Sequence, residues 1–123
     1  MKLTNKEILE NTEKLAVLLQ EGIPLPAAIS FSVVRNYKSL LPIAEDIENE
    51  RLKIAQRYGK ATEDGTFYIP EENRENAMQE LNDLSNVTTS VPIVTFTLDK
   101  LSGYDISLKT MNILYFMVED GEV

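Results

Sequence analysis

Residues 23–59 read "IPLPAAISFSVVRNYKSLLPIAEDIENERLKIAQRYG", and the fold turns on how their first part is read. Pro24 and Pro26 hold the preceding backbone extended. Ile29, Phe31 and Val33 alternate with small or polar neighbours, which suggests a short strand over residues 28–33. A helix over the same residues is a close alternative. From about Val34 the period is helical: Leu40, Leu41, Ala44, Ile47, Ile54 and Tyr58 recur at threes and fours. Pro42 removes a backbone donor, so a kink or a fresh start is expected there. Gly59 ends the helix.

Upstream, "LTNKEI" carries a helix start. Thr4 is a good N-cap, Glu7 completes a capping box, and Leu3 with Ile8 forms a hydrophobic staple. Ile8, Thr12, Leu15 and Leu19 continue the stripe, Leu18 widens it, and Gly22 stops it. Downstream, "ATEDGTFYIP" reads as a turn and a short strand, Phe67 to Ile69. Pro70, Glu71 and Glu72 open a third helix, because the positive end of a helix dipole favours acids. Ala77, Leu81 and Leu84 are its apolar stripe, with Met78 beside it. "VTTSVPIVTFTL" is rich in β-branched residues, and Val94, Phe96 and Leu98 would share one face of a strand. Pro92 puts that strand at an edge or interrupts it. Ser107 can cap a last helix, "LKTMNILYFMVED", apolar almost all round and so expected to be buried; residues 107–119 also suit a strand. The expected architecture is α+β: one domain over residues 1–123, with three to four helices packed on a small, mostly antiparallel β-sheet.

A chain of 123 residues can bury a real core without staples. It has no Cys, hence no disulfide and no thiolate nucleophile. Charges scattered through the first 22 residues argue against a secretory signal, and no run is long enough to span a membrane. A cytoplasmic protein is expected. Acids outnumber bases 20 to 12, giving a net charge of −8. Nucleic-acid binding draws its affinity from Lys and Arg on phosphates, so direct DNA or RNA binding is not expected. An acidic chain suits a basic protein surface.

The catalytic inventory is thin. The absence of His removes the commonest general base and the histidine-based zinc sites. No phosphate-cradling glycine motif occurs. Carboxylates remain. On the long helix Glu45 and Glu48 share one face, as do Asp46 and Glu50; nearby Arg51 and Lys53 favour a solvated surface over a cation site. In "QRYGKATEDGTFYIPEEN", residues 56–73, Glu63 and Asp64 lack the spacing of a calcium loop, and Asp64-Gly65 is a turn dipeptide. No catalytic residue, cofactor or metal is therefore expected. One of Phe67 and Tyr68 must face outward if both lie in a strand. The candidate interaction surface is Glu45, Asp46, Glu48, Glu50, Glu63, Asp64 and Tyr68.

The order of "MKLTNKEI", "IAQRYGK", "EDGTFYIPEEN", "ENAMQELNDL", "VPIVTFTLDKL" and "LYFMVED" resembles a group of small proteins from tailed phages and prophages of Gram-positive bacteria. That group is a domain family of unknown function, and the resemblance covers nearly the whole chain. It supplies no catalytic residues. It implies a phage-encoded protein working in the bacterial cytoplasm or in the virion. The expected function is non-enzymatic binding to a host or phage protein, with inhibition of a host defence system through the acidic surface as one form. A virion or assembly accessory role is the alternative, and a nucleotide-signal sponge the third.

Overall fold

The computed structural model describes residues 1–119. The elements follow in the order β1 (Lys2–Thr4), α1 (Asn5–Glu21), α2 (Ala27–Tyr58), β2 (Lys60–Ala61), β3 (Phe67–Tyr68), α3 (Glu71–Asn86), β4 (Thr88–Ser90) and α4 (Leu108–Leu114). Short 3₁₀ turns occupy Leu98–Leu101 and Tyr115–Met117. The fold is α+β, as predicted. The expected single sheet is two separate antiparallel ribbons, β1 with β4 and β2 with β3.

The start of α1 is built as its sequence dictates. The Glu7 N–H donates to Thr4 Oγ1 at 3.1 Å, and the Thr4 N–H donates to Glu7 Oε1 at 2.9 Å. Leu3 and Ile8 are both buried beside this box. Gly22 ends the helix at φ 63°, in the left-handed region that glycine enters without strain. Of the expected stripe, Ile8, Thr12 and Leu15 face the core with Leu18, whereas Leu19 is exposed.

Residues 28–33 are helical, which corrects the strand. Ile29, Val33, Asn36 and Leu40 are buried at helical spacing, and Phe31 stands 62% exposed on the other side. The apparent alternation came from counting Phe31 as a core residue. The helix also runs through Pro42 rather than restarting there. Pro42 and Lys38, whose carbonyl loses its helical donor, both lie on the exposed side, where water can take that donor's place. At 1.5 Å per residue α2 is about 48 Å long, and it is the spine of the molecule.

The other elements divide that spine. Ile8, Leu15 and Leu18 of α1 form one core with Ile29, Val33, Leu40, Ala44 and Ile47 of α2. The farther half of α2 carries α3 through polar ties. Arg57 Nη1 donates to Glu80 Oε1 at 2.6 Å, and Asn73 Nδ2 donates to the Tyr58 carbonyl at 3.0 Å. At the middle of the spine α3's last turn meets α1's first. Asn5 Nδ2 donates to the Leu84 carbonyl at 3.0 Å, and the Asn5 N–H to the Val87 carbonyl at 2.9 Å.

The β-branched stretch after α3 is not the strand its composition predicts. Only Thr88–Ser90 pairs with β1, and the ribbon ends at the Val91-Pro92 step. Phe96 is buried, but Val94 and Leu98 are exposed, and Leu98 opens a 3₁₀ turn. A side chain stands in for the missing strand partner. The Val94 N–H donates to Asn36 Oδ1 at 2.7 Å, and Asn36 Nδ2 returns a bond to the Val94 carbonyl at 2.9 Å. Phe96 then bridges to the C-terminal segment, through its N–H to the Met117 carbonyl and the Glu119 N–H to its own carbonyl, both 2.9 Å.

Ser107 caps α4 as expected, accepting from the Thr110 N–H at 3.1 Å. Thr110, Ile113, Leu114 and Met117 are buried, but Leu108 and Tyr115 are exposed, so this segment is one-sided rather than buried all round. Asp120, the end of the expected helix, lies outside the described residues.

Two substitutions test this scheme. Asn36→Ala leaves the partly buried polar groups of Val94 without their partner, and urea unfolding should show a loss of about 2–3 kcal/mol. Gly59 brings two backbones together: a Cβ there would lie 2.5 Å from the Ala55 carbonyl oxygen and 3.0 Å from that of Tyr68. Gly59→Ala should therefore cost about 1–3 kcal/mol in the same measurement.

Candidate interaction surface

The sequence-predicted acids fall into two patches. Glu45, Asp46, Glu48 and Glu50 are all exposed in the middle of α2. They split between two sides of the helix, Glu45 with Glu48 and Asp46 with Glu50. Glu48 receives a hydrogen bond from Arg51 at 2.8 Å and Glu50 from Lys53 at 2.9 Å, both exposed i,i+3 pairs. Such pairs add little to stability but neutralise the charge they hold. Glu63 and Asp64 sit on the β2–β3 hairpin, beyond the end of α2, and about 12 Å of helix separates Glu50 from Tyr58. Tyr68 faces outward there, 53% exposed and in register with Lys60, while Phe67 is half-buried.

The hairpin explains Asp64. Its carboxylate accepts from the hydroxyls of Thr62 and Thr66, and Gly65 adopts φ 84° at the turn. The Thr62 hydroxyl, then the Thr66 hydroxyl and N–H, hold the Asp64 carboxyl below its ordinary value. That carboxylate is occupied in closing a turn. Among the described residues no three acidic side chains converge as a metal site requires, and no helix is long and apolar enough to cross a membrane.

Sequence reasoning missed a hollow of the surface. A cleft of about 720 Å³ opens where α1, α2 and α3 meet. Its floor is Leu9, Thr12 and Ala16 of α1, Ala44 of α2 and Leu81 of α3. Lys6, Glu10 and Glu13 rise from α1, and the paired Glu48 and Arg51 from α2. Asn82, Ser85 and Asn86 close it from the C-terminal end of α3. The space exists because Ala16, Ala44 and Ser85 are too small to fill it. Glu10 and Glu13 also border an adjoining hollow of about 350 Å³, with Lys14 and Val17 of α1 and Lys109, Asn112 and Ile113 of α4. The only sequence signal for this site was a pair of carboxylates three apart on α1.

Compared with protein-family models, curated proteins and solved structures, the chain matches none.

Electrostatics beside the cleft can be tested directly. Glu80 is held below its ordinary 4.5 by the Tyr58 hydroxyl first and by Arg57 next, with burial opposing both. A carboxyl depressed on folding stabilises the folded state above its unfolded value and loses that contribution as pH falls through its folded value. Glu80→Gln should therefore melt below the wild type at neutral pH. Thermal melts across the acid range should show the gap closing below about pH 4.5, once both states protonate.

Proposed function

We propose that this chain is a small non-enzymatic binding protein, phage-encoded, that docks on a basic surface of a host or phage protein. Inhibition of a host defence system in the bacterial cytoplasm is its concrete form. The phage context rests on the sequence resemblance. The binding mode rests on one observation: the acidic excess of the middle segment is displayed outward, with few internal partners.

Between Glu45 and Asp83 lie eleven acids and five bases, a net of −6. Glu48, Glu50 and Glu80 are taken by Arg51, Lys53 and Arg57. That leaves eight acids against Lys60 and Arg74, and all eight are exposed. Exposed like charges do not stabilise a fold; they raise the potential of the surface and steer an oppositely charged partner. Glu71 and Glu72 have a local role at the start of α3, and Asp64 has one in the hairpin. Asp83 accepts from Gln79 Nε2 at 2.9 Å, which leaves Glu45, Asp46, Glu63 and Glu75 as the acids for which the fold itself supplies no use.

The test is capture from an extract of the bacterial host by immobilised protein, read by mass spectrometry. The wild type should retain a basic protein at low salt and release it at high salt, because exposed charges are screened. The variant carrying Glu45→Lys, Asp46→Lys and Glu63→Lys should not retain it. Equal retention by this variant would defeat the acidic-docking reading.

A further inference from the structure

We infer that the cleft between α1, α2 and α3 seats a lysine- or arginine-bearing segment of the partner protein. This rests on the protein-binding function proposed above and assigns it a place. The acids that motivate that function lie mostly outside the cleft, so seat and function can fail separately.

Three features of the cleft point to a basic segment. Its floor is largely apolar, through Leu9, Ala16, Ala44 and Leu81 beside Thr12, whose hydroxyl is spent on the Ile8 carbonyl, and its rim carries the exposed carboxylates of Glu10 and Glu13. A long cationic side chain has this profile, with an aliphatic stem that packs on apolar surface and a charged head that reaches for an acid. The third feature is the end of α3. A helix C-terminus carries a partial negative charge, and the last turn of α3 holds no basic residue to offset it. Ser85 and Asn86 bring that end to the wall of the cleft. Of the two cations present, Arg51 is engaged by Glu48 at 2.8 Å. Lys6 stands in the first turn of α1; Lys14, the next base on that helix, borders the neighbouring hollow instead, so within the cleft Glu10 and Glu13 face Lys6 alone. Asn5 already meets the Leu84 and Val87 carbonyls at that end, so a neutral or acidic segment would leave chiefly the two carboxylates unmatched. The cleft's volume of about 720 Å³ falls within the range of about 300–1,000 Å³ typical of ligand pockets.

The probe is a fluorescein-labelled peptide of repeated Ala-Lys units, with an Ala-Glu peptide as control. Fluorescence anisotropy measures affinity, and amide chemical shifts locate the peptide on the full chain. The Ala-Lys peptide should shift amides in residues 9–16, 44–51 and 81–86, and the Ala-Glu peptide should not bind. Glu10→Lys with Glu13→Lys should weaken binding about tenfold or more, while Glu63→Lys with Glu71→Lys, an equal change in net charge outside the cleft, should alter it less than about twofold. Glu10→Gln with Glu13→Gln should give an intermediate loss. Ser85→Trp, which fills the cleft without changing charge, should also abolish binding; circular dichroism melts verify that each variant is folded.

Equal losses from the Glu10/Glu13 and Glu63/Glu71 variants would overturn the inference in favour of diffuse attraction. Shifts confined to other residues would overturn it, as would absence of peptide binding. Binding of spermine in the cleft without the peptide would replace the protein segment with a small polyamine. The outcomes separate from the functional reading in both directions. Host-protein capture that survives Glu10→Lys with Glu13→Lys but is lost on reversal of Glu45, Asp46 and Glu63 sinks the seat and keeps the function. Cleft binding of the peptide without any captured partner keeps the seat and sinks the function.

Discussion

One buried primary amide sets the path of the last third of the chain. Asn36 is fully buried on α2, and its side chain offers a carbonyl oxygen and an N–H₂ in the orientation a neighbouring strand would offer. Val94 uses both. Its backbone is thereby satisfied without a sheet, as a part-buried segment requires. Residues on either side then reach their own partners: the Val91 N–H donates to the Met1 carbonyl, and Phe96 bridges to the segment after α4. Val91, Phe96 and Met117 complete the core that α1 and α2 begin. The amide fixes the height on α2 at which this happens, so the packing of α4 depends on it indirectly. An apolar residue at position 36 would bury equally well and leave Val94 unanswered. That asymmetry is why a polar residue holds a fully enclosed position.

The same device recurs with less burial. Asn5 ties the start of α1 to the end of α3, and Asn73 ties the start of α3 to the end of α2. These amides act where chain segments meet at awkward angles and no regular ladder can form. The helices supply hydrophobic area, and the asparagines supply register.

What was legible in the sequence followed from signals a few residues long. The Thr4–Glu7 box, the stop at Gly22, the Asp64-Gly65 turn and the Ser107 cap are local chemistry, and each formed where it was expected. Readings failed where the deciding partner was distant in sequence. Phe31 looked like a core residue because nothing local marks an apolar side chain as exposed. Val94, Phe96 and Leu98 looked like a strand because β-branched composition reports a preference for extended backbone, not the presence of a neighbour. Asn36, which lies 58 positions away, supplied that neighbour as a side chain. The cleft was illegible for the same reason. Ala16, Ala44 and Ser85 are unremarkable in their own helices and become a hollow only when three helices converge.

The end of α3 joins the electrostatics to the architecture. Ala77 is the only residue of α3 that is fully buried among its sixteen, so the helix is held by that contact, by half-buried Leu81 and Leu84, and by polar ties at its ends and to Arg57. A helix so lightly packed would gain from every favourable charge at its termini. Its first turn takes that gain with Glu71 and Glu72. Its last turn does the reverse, offering no base to the carbonyl end and carrying Asp83 nearby. The sequence thus obeys the dipole rule at one end of a marginal helix and breaks it at the other. Sequences that follow local rules elsewhere tend to break them at functional positions. Here the break lies where α3 closes the cleft against α1 and α2. Asn5 and Lys6 at the start of α1 answer part of that charge, and a cation delivered from outside would add to them and strengthen the helix that forms one wall of its own seat.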